Sequence, residues 1–268
     1  MIRLSMNEVT TYGWSFDEDI ANYVNAGYEG IGVCRKKLAM FGEDAGIPLL
    51  VESGLKASSL SYCGGFTGGP QHNRQARIKD TAKAIQLACT MDAGCVIVKS
   101  GGRAGHTGNH ARRLIRDAIA ELVPFAEDAQ VDLAIEPWHV GCIKQESVLN
   151  TLEQALDLVE DIGSSRLRIA FDTYHLGFGE VDLKLIEYAA KHIAIVQLGD
   201  GSAPPTRTQN RCSLGDGIVP VGDIVCALIA GGYTGFFEVE LTGPDISYKL
   251  YNDILIESHN AWSGLAGR

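Results

Sequence analysis

Short runs of apolar and β-branched residues alternate along the chain with longer stretches whose apolar positions recur every three or four residues, the grammar of parallel βα units. Eight units can be read. The predicted strands are Ile2 to Ser5, Gly30 to Val33, Lys56 to Ser61, Cys95 to Lys99, Asp132 to Glu136, Arg168 to Asp172, Ala194 to Leu198 and Phe236 to Leu241. Most are short and apolar, as strands covered on both faces are. The helices between them have legible ends: Ser15 with Glu18 three residues on forms a capping box, and Gly27 follows the last turn. Asn73 to Asp92 sets Ile78, Ala82, Ile85 and Cys89 on one face, and Asn109 to Ala129, interrupted at Pro124, and Ser147 to Ile162 are one-sided in the same way. Ile224 to Ile229, stopped by Gly231 and Gly232, precedes the last strand, and Ile246 to Trp262 closes the chain.

No Pro-rich or Ser-rich linker divides this pattern, and the glycine-dense stretches Gly64 to Pro70 and Gly101 to Gly108 each follow a strand. No GxGxxG turn follows strand one and no Walker sequence occurs. Eight units in this length therefore predict an α/β fold, a (β/α)8 TIM barrel forming a single domain over residues 1–268, rather than a doubly wound sheet.

With 46% hydrophobic and 21% charged residues the chain has ample material for a core. Its 23 Lys and Arg against 33 Asp and Glu leave a net charge of −10, a field that repels nucleic acid. No run approaches the roughly 18 apolar residues of a membrane span, and the amino end lacks a secretory signal. A soluble, cytoplasmic protein with no nucleic-acid or membrane partner is expected; a homo-oligomer, dimer or tetramer, stays open. Seven cysteines, odd in number and without a CxxC pair, read as reduced thiols; Cys89 and Cys95, the nearest pair, read as buried filler rather than a zinc site.

In a barrel, chemistry collects where strands end. Strand five ends in Glu136, strand six in Asp172, strand seven carries Gln197, and strand eight carries Glu240. Three carboxylates converging on one axis repel one another, and a divalent cation relieves that repulsion. An all-oxygen set suits Mg2+ or Mn2+ better than Zn2+. Glu238, two residues before Glu240, should share its inward face one layer deeper, as a partner of the site or a paired structural acid.

Glu136-Pro137, the run Asp172-Thr173-Tyr174-His175, Gln197-Leu198-Gly199-Asp200, and Gly215-Asp216-Gly217 leading to Gly232-Tyr233-Thr234-Gly235 and Glu240 together resemble the sugar isomerase/epimerase superfamily of xylose-isomerase-like barrels. That superfamily includes hydroxypyruvate isomerases, ketose 3-epimerases, inosose dehydratases, dehydroshikimate dehydratases and endonuclease IV-type enzymes. The resemblance implies one metal held by Glu136, Asp172, Gln197 and Glu240. It also implies substrate contacts from His175 and Arg211, for which a partner holding Asp172 and a loop ion pair are the respective alternatives.

The activity implied is isomerisation or epimerisation of a sugar or sugar derivative by proton transfer through a metal-stabilised enediolate, with Glu136 and Glu240 dividing the proton work. Loss of water or cleavage of a neighbouring bond by a lyase or dehydratase is the alternative. An endonuclease fits less well, because Gln197 and Asn210-Arg211-Cys212 stand where its ligands would be. Cys142 stands where ketose 3-epimerases carry a substrate-contacting Glu, which leaves the substrate open. Trp138, His139 and Trp14 are candidate pocket walls, and Lys99 and His106 candidate hydroxyl or phosphate contacts.

Overall fold

The computed structural model describes residues 3–68, 73–142 and 147–266. Ile2, read into strand one, and Pro70, at the end of the first glycine-dense stretch, lie outside the described residues. Eight parallel strands close into a barrel in sequence order: β1 (Arg3–Asn7), β2 (Gly30–Cys34), β3 (Lys56–Gly64), β4 (Cys95–Lys99), β5 (Asp132–Glu136), β6 (Leu167–Asp172), β7 (Ile193–Leu198) and β8 (Phe236–Val239). All eight predicted strands are present. β1 and β3 run further than their apolar cores suggested, and β8 ends one residue before Glu240.

Helices wrap the outside: α1 (Phe16–Asn25), α2 (Arg35–Phe41), α3 (Glu43–Ser53), α4 (Arg74–Thr90), α5 (Gly108–Ala129), α6 (Leu152–Ile162), α7 (Thr173–Leu176), α8 (Leu183–Ala189), α9 (Val221–Ala230), α10 (Pro244–Ser247) and α11 (Tyr251–Ala266). The capping box before α1 forms, with the Ser15 N–H donating to Glu18 Oε2 at 2.8 Å. Several boundaries differ from the sequence reading. α6 begins at Leu152, because Thr151 caps it by accepting from Gln154 N–H, while Ser147 bridges to Gly101 in extended form. α5 runs unbroken through Pro124, its buried residues Leu122, Val123 and Ala126 holding it against the sheet. α9 starts three residues earlier than read, and the closing helix is two, α10 and α11. Cys89 is exposed, because α4 buries the offset row Ile78, Thr81, Ala84, Ile85 and Ala88. Among the described residues no helix is long and apolar enough to cross a membrane.

The two-residue period of the strands sorts their side chains into two layers. Val96, Val98, Leu133, Ile135, Ile169, Phe171, Val196, Leu198, Phe237 and Val239 face outward into the main core beneath the helices. Cys95, Ile97, Ala134, Ala170, Ile195 and Phe236 fill the inside of the barrel. The same alternation carries Lys99, Glu136, Asp172, Gln197 and Glu240 to the inside at the carboxyl mouth. Gly64, at the end of β3, has φ +107, and a Cβ there would lie 2.1 Å from the Lys99 carbonyl oxygen. Gly64→Ala should therefore destabilise the fold by about 3 kcal/mol or more, read as a lower midpoint in urea unfolding.

Candidate active site

Glu136, Asp172, Gln197 and Glu240 all reach the inner mouth of the barrel and are buried there. Asp172 is fixed by its own chain, its Oδ1 accepting from the Tyr174 N–H at 2.7 Å as the N-cap of α7. Glu240 is held from three sides. The Tyr62 hydroxyl donates to its Oε2 at 2.5 Å, the Gln197 amide donates to the same oxygen, and Asn7 Nδ2 lies 3.3 Å from it.

Arg211 ties the ring together. Its Nη2 donates to Asp172 Oδ2 at 2.7 Å and to Glu240 Oε1 at 3.3 Å, and its Nη1 donates to Asp172 Oδ1 at 3.3 Å and to the Glu240 carbonyl at 2.9 Å. With 1% of its surface exposed it is neither a solvated loop ion pair nor a free arm, but the internal counter-ion of two site carboxylates. It is carried on the excursion between β7 and α9, which a second acid organises. The Asp200 carboxylate accepts backbone N–H bonds from Gly201 (2.7 Å), Gly215 (3.0 Å), Gly217 (3.0 Å) and Val219 (3.1 Å).

Glu136 is the contrast, since both its oxygens are buried with no hydrogen bond of standard geometry. Burial above all pushes its carboxyl up, to about 8; the Lys99 ammonium opposes this, and the Glu240 and Asp172 charges add to it. Glu240 is also raised, by burial against the pull of Arg211. Arg211 itself loses solvation, yet Asp172 and Glu240 more than offset that and hold it firmly protonated. Glu238 lies one layer deeper, as its spacing predicted. It accepts from Asn7 Nδ2 (2.6 Å), Ser58 (2.6 Å) and Ser59 (2.8 Å), and burial raises it to about 7 against those bonds.

His175 is buried, stacked on the Trp138 ring at 4.4 Å between centroids, with Nε2 3.9 Å from Asp172 Oδ2. Burial, then the Arg211 and Lys99 charges, hold its imidazole well below the usual range, so it is neutral. Its Nδ1 accepts the His139 backbone N–H at 3.4 Å, which assigns its proton to Nε2. His175 therefore presents an N–H to the site. The ligand-type atoms of Glu136, Asp172 and His175 lie within 4.8 Å of one another. The Glu136 oxygens and Gln197 Oε1 are buried lone-pair atoms with no hydrogen bond of standard geometry, a deficit that a cation satisfies. Glu136 and Gln197, with the Asp172 and Glu240 carboxylates beside them, therefore fit a divalent metal, while the protonated Nε2 of His175 stands next to that set rather than in it.

Other predicted residues sit as follows. Trp138 is buried beside His175, and His139 is half-buried, with Nδ1 accepting from Gly141 N–H at 3.1 Å and its ring against Phe178. Lys99 lies over the Tyr62 and Trp138 rings. His106 faces away to the Thr67 carbonyl at 3.1 Å and the His110 ring, and Trp14 packs edge-on against Tyr251 at 5.0 Å. Neither contact joins the acid ring. Sequence reasoning missed Asn7 and Tyr62. Both lie beyond the points at which β1 and β3 were taken to stop; a strand extended by two residues would have brought Asn7 to the mouth.

The profile of the family described as xylose isomerase-like TIM barrel matches residues 20–261. An L-ribulose 3-epimerase from Mesorhizobium japonicum is 29% identical over 187 residues, covering 67% of this chain and 58% of that protein. A D-psicose 3-epimerase from Enterocloster bolteae is 33% identical over 125 residues, 46% of this chain and 37% of the relative. The matches thus span less than two thirds of either relative's length. A crystal structure of a Sinorhizobium meliloti protein superposes with a TM-score of 0.90 at 27% identity, covering 98% of both chains.

Proposed function

The chain belongs to the xylose isomerase-like TIM barrel family, and from that premise we propose that it is an isomerase or epimerase of a sugar or sugar derivative, dependent on one divalent metal ion. The observation that carries the reading is the contrast between two buried glutamates in one site: Glu136, whose oxygens accept no hydrogen bond of standard geometry, and Glu240, held by Tyr62, Gln197 and Arg211. The kinship with two ketose 3-epimerases supports it.

Glu136, Asp172, Gln197 and Glu240 would hold the metal, and an oxygen set of this kind suits Mn2+ or Mg2+. A bound dication would supply Lewis-acid stabilisation of negative charge developing on substrate oxygens. Glu136 acts as the acceptor of the weakly acidic proton next to the substrate carbonyl. Glu240, fixed in place, delivers a proton taken up from solvent at the second position while Glu136 releases its own to solvent, so the pair is reset after each turnover. The Nε2–H of neutral His175 donates to a substrate oxygen, Arg211 balances the acids, and Trp138 walls off water on one side.

The experiment is proton exchange. With Mn2+ in D2O, a ketose substrate should gain one deuterium at a carbon adjacent to its carbonyl and yield an isomer of otherwise unchanged mass. Loss of water or appearance of an unsaturated product would move the assignment to a lyase, and absence of exchange across a broad ketose and keto-acid panel would refute it.

A further inference from the structure

Lys99 is left over by this chemistry. It closes β4, with its Cα opposite Glu136 on one side and Gly64 on the other. Its ammonium lies 3.9 Å from the ring centroid of Tyr62 and 3.9 Å from that of Trp138. Two aromatic faces fix a cation without neutralising it, because a ring quadrupole carries no net charge and accepts no conventional hydrogen bond. Among the described residues the ammonium makes no ion pair and donates no hydrogen bond to an oxygen. It is half-buried, and its charge acts on Glu136, Glu240 and His175, which sets it beside the acid ring at the mouth of the barrel. Tyr62 donates to Glu240, Trp138 stacks on His175, and the Lys99 charge acts on Glu136, so the clamp is built into the wall of the acid ring.

The charges around this point decide what it can take. Within the ring at the mouth, leaving out Glu238 one layer deeper and capped by Asn7, Ser58 and Ser59, the ionised Glu136, Asp172 and Glu240 supply three negative charges and Arg211 and Lys99 two positive ones, and a divalent metal would supply two more. The loaded ring would be left at +1, with an ammonium on one wall that has no ion-pair partner among the described residues. Building on the isomerase or epimerase reading, we propose that Lys99 is a specificity-determining residue that binds a carboxylate of the substrate, and that the substrate class is a keto sugar acid rather than a neutral ketose. A carboxylate monoanion matches the residual charge and the single ammonium. A phosphate dianion over-matches it and would call for a further cation or a cluster of backbone N–H donors at the clamp.

The test compares three ligands that differ only at C6: D-tagatose, D-tagaturonate and D-tagatose 6-phosphate, on the Mn2+-loaded enzyme. Both kcat/KM by deuterium exchange and affinity by calorimetry are measured. The wild type should favour tagaturonate over tagatose by tenfold or more, with the phosphate ester no better than the uronate. Lys99→Met should lose at least tenfold more on tagaturonate than on tagatose, and Lys99→Arg should retain part of the preference. Equal losses on both sugars, a wild type indifferent to the carboxylate, or a preference for the phosphate ester would overturn the proposal. Should none of the three turn over, the calorimetry still decides. Uronate binding that weakens in Lys99→Met while tagatose binding weakens less upholds the Lys99 site and counts against the isomerase reading alone; equal binding of all three sinks the Lys99 site.

Discussion

Replacing Glu136 by glutamine is expected to lower turnover by about a thousandfold and, at the same time, to make the metal-free protein harder to unfold at pH 8. The first effect follows from chemistry. The amide still offers an oxygen to a cation but cannot carry the proton, and positioned acid–base groups contribute roughly 10² to 10⁴ in rate. The second follows from burial. The Glu136 carboxyl titrates at about 8 in the fold against an ordinary 4.5, so the folded state binds its proton more tightly than the unfolded chain does. Its contribution is present in full below about pH 4.5 and is lost as pH rises through about 8, a change on the order of 5 kcal/mol. Thermal unfolding in chelator from pH 5 to 9 should show the variant's advantage growing with pH. Identical pH slopes for the two proteins, or a fully active variant, would remove Glu136 from the assignment.

Arg211→Met should be the most destabilising single change at the site. The guanidinium is the only cation bonded to Asp172 and Glu240 among the described residues, and all three groups are buried. Breaking a buried pair by deleting one partner costs about 3 to 5 kcal/mol, because the surviving charges stay buried and unmatched. In a chain of this size that is roughly 10 °C of melting temperature. Mn2+ should restore more stability to the variant than it adds to the wild type, since a dication can take over part of the lost charge balance. A variant that melts within about 2 °C of wild type in chelator would show that Arg211 is not the internal counter-ion.

The barrel was legible because both of its periods are written in the chain. Strands with apolar residues on both faces and helices with one apolar stripe leave few other ways to bury both. The acid ring was legible for a related reason: Glu136, Asp172, Gln197 and Glu240 each stand at or beside a strand end, and strand ends of a closed parallel sheet meet. Asn7 and Tyr62 escaped because polar residues extending a strand look like the start of a loop. Arg211 was visible as a residue but not as a buried one. A guanidinium on a glycine-rich excursion reads as solvated, and only the three-dimensional path returns it to Asp172. Cys89 went astray through an error of phase, one residue along α4 being a turn of about 100°.

The knot of backbone bonds on Asp200 has a further consequence. Its carboxylate gathers an amide from the start of the excursion at Gly201 and three from its end at Gly215, Gly217 and Val219, so both feet of the arch stand on one side chain. Closure entropy is thereby met at the barrel wall and grows only slowly with the length of the span above it. Residues added or removed among the exposed positions 202–204 and 206–208 would be absorbed by the arch, leaving β7 and α9 undisturbed. The excursion that delivers Arg211 can thus vary in length while the scaffold beneath it stays fixed.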